Sequence, residues 1–280
     1  MKKFPYLHML LFILTFISTM VAGALLQKGI DILKEPLRVF EGLPFSLTLM
    51  TILLSHELSH YFASRRHHTK ATLPYFIPAP SFIGTFGAFI KMKSPIVTRK
   101  ALIDIGASGP IAGFVLSVIA AIIGLNYSTV VPLTETKEAV LGLGDSLLFS
   151  LISRAVLGVP PETHEILLHP VAFAGWIGLF VTSLNLIPIG QLDGGHIAYA
   201  FLGERQRLLS VTLVVTLLLV GFFFWEGWLI WGAIMLVLGL KHPPVIYWEV
   251  PLDHRRRLIG VLTLIIFVIT FMPSPFKLAD

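Results

Sequence analysis

The fold of this chain is decided by the stretch Leu43-Pro44-Phe45-Ser46-Leu47-Thr48-Leu49-Met50-Thr51-Ile52-Leu53-Leu54-Ser55-His56-Glu57-Leu58-Ser59-His60. Continued to Ser64, it meets the roughly 20 mostly apolar residues that a helix needs to cross a bilayer. Yet it carries His56, Glu57 and His60. Ionisable side chains inside a span are costly, and where they occur they point to a functional site. Positions i and i+4 of a helix share one face, so the two imidazoles stand one turn apart. So placed they can grip one zinc ion, with Glu57 beside them to take a proton from water. An H-E-x-x-H pattern alone arises by chance fairly often. Its place inside a span is what gives it weight.

The rest of the chain suits the same setting. Of 280 residues, 55% are apolar and 13% charged, against about 25% charged in soluble domains. Further apolar runs lie near 7–26, 101–125, 170–190, 208–225, 228–240 and 258–273. They predict an all-α polytopic membrane protein with about six or seven transmembrane helices, organised as a single domain over 1–280. Most of the 21 Lys and Arg fall in stretches on the side of Met1, among them Arg65, Arg66, Arg99, Lys100, Arg255, Arg256 and Arg257. The positive-inside rule then places the N-terminus in the cytoplasm. Met1-Lys2-Lys3 and the run after it read as a retained span, because the apolar stretch is too long for a signal peptide. With no organellar transit peptide ahead of it, a prokaryotic cell membrane is the simplest home. The formal charge of +5 belongs to these loops. No basic stretch is interleaved with aromatics, so the lipid bilayer is an expected partner and nucleic acid is not. The absence of cysteine excludes a disulfide framework and any thiolate metal site, leaving nitrogen and oxygen ligands.

Two segments depart from the helical pattern. Leu73 to Lys93 contains three prolines and two glycines, which disfavours a helix and predicts short strands or a re-entrant loop. Non-helical backbone at membrane depth is tolerated only where protein or a wet cavity satisfies it, so this segment is expected to line a cavity. Asn126 to His169 carries Glu135, Glu138, Asp145, Glu162 and Glu165, and its middle, Leu141 to Leu157, is apolar enough for a helix on the membrane surface.

Zinc needs a third protein ligand and an open position. Asn185-Leu186-Ile187-Pro188-Ile189-Gly190-Gln191-Leu192-Asp193-Gly194-Gly195-His196 offers Asp193, at the end of the fourth span among helix breakers. The charge-derived topology puts it on the same side as His56 and His60, so the two motifs fall at similar depth. His196 reads as a satisfied polar residue at a helix end, with a supporting partner of the metal ligands as the alternative. His8, His67, His68 and His242 are expected in or near loops and mostly solvated. Asp104 is expected to pair with Arg99 or Lys100, with an acid lining a cavity as the alternative. Gly106, Gly109 and Gly113 read as close helix packing, and Trp225, Trp228, Trp231 and Trp248 as interfacial.

H-E-L-S-H, Gly109-Pro110-Ile111-Ala112-Gly113 and N-L-I-P-I-G-Q-L-D-G-G-H together resemble the site-2 protease family of intramembrane zinc metalloproteases, peptidase family M50. They occur in the family's order across roughly residues 43–205. The absence of an inserted PDZ domain is similar to the compact branch. The arrangement also resembles the chloroplast gravitropism-related members, a subgroup the motifs do not single out. The resemblance implies one zinc ion per chain on His56, His60 and Asp193, with Glu57 as catalytic base. It implies that Asn185 helps to hold substrate or oxyanion. It also implies that Gly84, Thr85, Phe86, Gly87, Ala88 and Phe89 form a membrane-embedded strand offering its edge to substrate. The implied activity is regulated intramembrane proteolysis of transmembrane protein substrates, with an active site towards the cytoplasm. The core would be about 43–205, followed by variable spans over 206–280. A zinc enzyme with a non-peptide substrate, a metal or ion transporter, and a catalytically inactive substrate-binding homologue are the competing classes. Convergence of the motifs on one depth argues against a transport path, and retention of Glu57 and every ligand argues against an inactive relative.

Overall fold

A computed structural model of the chain describes residues 5–26, 31–132, 142–158 and 164–277. Met1 to Lys3, Glu135, Glu138 and Glu162 lie outside the described residues. Helix α1 (Tyr6–Leu25) is followed by a 3-10 turn (Pro36–Gly42) that runs into α2 (Leu43–Arg66), with Pro44 in the first turn, where its missing amide costs nothing. Strands β1 (Tyr75–Pro78) and β2 (Thr85–Phe89) form an antiparallel hairpin. Helix α3 (Arg99–Leu125) starts at Thr98, whose hydroxyl accepts from the Ala101 amide at 3.2 Å. Strands β3 (Thr129–Pro132) and β4 (Gly142–Leu143) precede α4 (Leu147–Leu157), and β5 (His164–Leu167) precedes α5 (Pro170–Leu186). Then come α6 (Asp193–Leu202), α7 (Gln206–Phe223), α8 (Gly227–Leu238), α9 (His254–Thr270) and β6 (Phe276–Lys277).

The chain is mostly helical. Among the described residues, four helical stretches are long and apolar enough to cross a membrane: Tyr6–Leu25, Pro36–Arg66, Arg99–Leu125 and Asp193–Phe223. Shorter apolar helices accompany them at Leu147–Leu157, Pro170–Leu186 and Gly227–Leu238. Whole outer faces are apolar and exposed: Leu10, Ile13 and Ile17 on α1, Val215, Leu219 and Phe222 on α7, Leu258, Leu262 and Ile265 on α9. Contiguous apolar surface on this scale suits a lipid environment.

Helix α3 is the centre of the bundle, packed between α2 and α5 and touched by α6 and α9. Small residues set its spacing from α5. A Cβ on Gly175 would stand 2.6 Å from the Ala121 amide nitrogen, and one on Gly124 2.1 Å from that of Ala172. Backbone-to-backbone approach of this kind is how helices gain dispersion contact where no hydrophobic drive exists. The largest core cluster surrounds Trp176, which is fully buried and donates its indole N–H to the Gly144 carbonyl at 2.8 Å.

Several expectations change. The fourth apolar run ends as helix at Leu186, and the next helical stretch starts at Asp193 itself, ahead of the run near 208–225. Trp228 is fully buried in the protein, donating to the Pro273 carbonyl at 2.7 Å. His242 is buried, not solvated. Asp104 pairs with Arg256 on α9 and with His67, while Lys100 reaches Asp253 and Arg99 stacks over Trp248. The Leu73 to Lys93 segment is a strand hairpin, as its prolines and glycines suggest. The two small pairings β3–β5 and β4–β6 carry no sequence signal.

Candidate metal centre and its surroundings

Each half of the site rests on local helix geometry. His56 and His60 project from one face of α2, four residues apart, and both are about 95% buried (5% exposed each). Asp193 is the first residue of α6, where the free amides of a helix start favour a carboxylate. The loop Ile187–Leu192 delivers it there. A Cβ on Gly194 would stand 2.0 Å from the Leu186 carbonyl, and one on Gly195 2.4 Å from that of Gly190. Only glycine lets this helix start fold back onto the end of α5.

The three side chains meet. His56 Nε2 and His60 Nε2 are 3.0 Å apart, and each is 3.2 Å from Asp193 Oδ2. Two imidazole nitrogens and a carboxylate oxygen so close, and so shielded from water, form the one such His/Asp/Glu group among the described residues. Donor atoms about 2.0–2.1 Å from a tetrahedral zinc are roughly 3.3 Å from one another. The observed edges of 3.0, 3.2 and 3.2 Å fall just inside that figure, so the donor set fits the ion in kind and in size.

The tautomer of His60 is held as such a site requires. His60 Nδ1 lies 2.7 Å from the Ile105 carbonyl oxygen. A carbonyl only accepts, so the proton sits on Nδ1 and the Nε2 lone pair faces the triangle. Pro110 lies in the same part of α3 and removes the amide that would bond the Gly106 carbonyl.

The glycines of α3 have a sharper role than general helix packing. A Cβ on Gly109 would fall 2.1 Å from His60 Nε2, and one on Gly113 3.1 Å from His56 Nδ1. A Cβ on Gly106 would meet the Asp193 carbonyl oxygen and His196 Cβ, both at 3.1 Å. The stripe Gly106, Gly109, Gly113 is therefore the wall against which all three candidate ligands rest. The spacing of small residues signals close approach; what approaches is not legible without the fold.

Glu57 is buried beside His56, with the Ile90 backbone just past β2 next to it. Asn185, near the end of α5, brings its Nδ2 within 3.5 Å of His56 Nε2, at the rim of the triangle. The β2 residues Thr85, Phe86, Gly87, Ala88 and Phe89 pair with β1 on one side alone, and Phe86 and Phe89 project outward. Gly87 has φ +96 and its amide bonds the Thr85 hydroxyl at 2.9 Å, so the free edge is short and kinked. Gly84, just before β2, has φ +81 and presses on α1, where its carbonyl accepts from the Ser18 hydroxyl at 2.6 Å.

His196, in the first turn of α6, is a satisfied polar residue, as the sequence suggests. Its Nδ1 lies 2.6 Å from His242 Nε2. His242 Nδ1 donates to the Pro243 carbonyl at 2.6 Å, so His242 Nε2 accepts and His196 donates. Burial holds the His242 imidazole below its ordinary pKa, which keeps this chain of bonds neutral. The pair ties the segment after α8 to the helix that bears Asp193.

Fold and site together define a bundle with helices long and apolar enough to cross a membrane, enclosing a His–His–Asp triangle with an adjacent glutamate. The model of peptidase family M50 matches residues 44–225, and the chain belongs to that family. It is 33% identical over 85% of its length to a protein named probable zinc metalloprotease EGY1, chloroplastic, of Arabidopsis thaliana, covering 44% of that relative. It is 30% identical over 84% to the Arabidopsis EGY2 protein (42% of it covered) and 30% identical over 86% to EGY1 of Oryza sativa subsp. japonica (42% covered). The chain thus spans less than half the length of these relatives. No solved structure matches. These relatives are chloroplastic proteins of plants, which overturns the expectation of a prokaryotic cell membrane with a cytoplasmic N-terminus and active site. A charge bias distinguishes the two faces of a membrane, not one membrane from another.

Proposed function

We propose that the chain is an intramembrane zinc endopeptidase that hydrolyses peptide bonds within or near transmembrane segments of other proteins. The observation that carries this reading is the buried triangle of His56, His60 and Asp193, with edges of 3.0, 3.2 and 3.2 Å, set in a helix long enough to span a membrane. One zinc ion per chain would be held by those three residues. When bound, zinc polarises a carbonyl and makes water acidic enough to attack near neutral pH.

The chain's own groups would do the rest. Glu57 takes the proton of the attacking water and returns it to the leaving amine nitrogen. The Ile90 backbone beside it places the carboxylate near the end of β2. Asn185 would donate its amide N–H to the oxyanion as the carbonyl becomes tetrahedral. A substrate helix shields its own carbonyls, so it must unwind. The extended segment would add to the free edge at Gly84 to Phe89 by strand pairing. Ile90 follows that edge directly and lies beside Glu57, so peptide and base would sit near one another. Ligands gathered at one point, with a base that ligates nothing, suit hydrolysis better than an ion path.

We further infer that α5, α8 and α9 complete a set of about six or seven spans with the four longer stretches, α5 being 17 residues of almost wholly buried helix. The core would run over about 43–205, with the later spans as its variable part.

The test is cleavage of a panel of single-span substrates by purified wild type and Glu57→Gln, with and without a zinc chelator. Cutting that needs both Glu57 and metal is the expected result, with the variant slower by about 10² or more. A zinc-loaded, folded wild type that leaves the whole panel intact contradicts the reading.

A further inference from the structure

Helices α2, α3 and α9 leave a cleft of about 360 Å³ between them, lined by none of the three candidate metal ligands. Phe62, Ile111 and Ile259 line it with apolar surface, while Arg66, Arg255 and Arg256 supply cations. Inside it one cation is already paired. Asp104 accepts from Arg256 Nη2 at 2.6 Å, from Arg256 Nε at 3.1 Å and from His67 at 2.7 Å, and Arg256 also reaches Asp253. Arg66 and Arg255 are exposed and have no ion pair among the described residues.

Their position is unusual for helix electrostatics. Arg255, Arg256 and Arg257 fill the first turn of α9 with no acidic residue among them. The start of a helix carries partial positive charge and favours anions. Three cations there build a positive potential that Asp253 and Asp104, both engaged by Arg256, offset only in part.

The cleft is also ordered by depth. Arg66 is the last residue of α2 and Arg255 the second of α9. Phe62 and Ile259 lie one turn further into their helices, and Ile111 two turns past Asp104. Phe62 is 62% exposed, and Leu258 and Leu262 beside Ile259 are exposed too, so the apolar wall opens outward to lipid. Charge at the end and an apolar groove one to two turns deeper is the order of a phospholipid, head then chain.

We propose that this cleft seats one anionic phospholipid, its phosphate between Arg66 and Arg255 at the start of α9 and an acyl chain along Phe62, Ile111 and Ile259. The site is independent of the proteolytic reading. A free phosphate would use the arginines but leave the groove empty. General attraction of basic loops to a charged surface would need no convergence of two unpaired guanidiniums on one cleft.

The test compares purified full-length protein in phosphatidylcholine bilayers with and without phosphatidylglycerol. Retained lipid is counted by native mass spectrometry, and the thermal midpoint is followed. Wild type is expected to retain one phosphatidylglycerol and to melt higher with it. Arg66→Gln/Arg255→Gln should weaken retention on the order of tenfold or more and lose the midpoint shift. Arg205→Gln/Arg207→Gln, with the same charge change on exposed residues elsewhere, should keep both. Ile259→Trp, which fills the groove and keeps the charge, should also lose the lipid. Equal retention by wild type and the first pair overturns the proposal, as does equal loss in the control pair. Displacement of the lipid by inorganic phosphate alone would show an anion site in place of a lipid site, and also overturns it. Melting in phosphatidylcholine checks folding. If the double variant fails it, Arg255→Gln alone, at an exposed side chain, decides the same comparison.

Discussion

At the scale of single residues, Gly109 is the tightest constraint on the site. Its missing Cβ would lie 2.1 Å from His60 Nε2 and 2.5 Å from Cδ2, well inside contact distance. An imidazole locked by its bond to Ile105 has no rotamer into which it can retreat without giving up that bond. Gly109→Ala should therefore part α2 from α3 or swing His60 out of the triangle. We expect zinc retention against a chelator to fall at least about tenfold, since removing even an outer partner of a metal ligand costs 10–100-fold. Gly113→Ala, at 3.1 Å from His56 Nδ1, should give a smaller loss. Chelator titration with a zinc-sensitive dye measures both, and equal, unchanged retention would show that the glycine wall does not hold the ligands. These glycines were legible in the sequence as close packing because small residues three and four apart mark it. Their target was not, because it sits on other helices.

At the scale of elements, Asp104 joins three helices, bonding Arg256 of α9 and His67 at the end of α2 from its place on α3. Its side chain and that of Arg256 are about one-fifth exposed (19% and 20%). Asp104→Asn should lower stability by about 2–3 kcal/mol, below the full cost of orphaning a buried charge because water screens part of it. Asp104→Leu/Arg256→Leu should recover some of the loss, because no unpaired charge remains. Thermal unfolding in detergent reads this cycle, and a double variant as weak as the sum of its singles would deny the coupling. The sequence suggested Arg99 or Lys100 as partners because they are helix neighbours. The actual cation lies 152 residues away, and only tertiary packing chooses it. The β1–β2 hairpin was legible as non-helical from its prolines and glycines. Its anchoring to α1, where His8 Nδ1 bonds the Pro74 carbonyl at 3.1 Å, was not.

At the scale of the molecule, two motifs 133 residues apart converge because α3 separates and aligns the helices that bear them. That convergence was readable in advance from physics alone. Polar side chains are scarce in the spans, and both motifs reached the same depth. The kind of membrane was not readable, since loop charge reports sidedness only. The central claim is that His56, His60 and Asp193 hold one metal ion that Glu57 uses and does not bind. Zinc per chain, measured by elemental mass spectrometry on purified protein, tests it directly. Wild type and Glu57→Gln should each carry about one zinc, and His60→Ala and Asp193→Ala almost none, as expected for a site that needs three protein ligands. Full zinc in folded Asp193→Ala, or its loss in Glu57→Gln, would contradict the account.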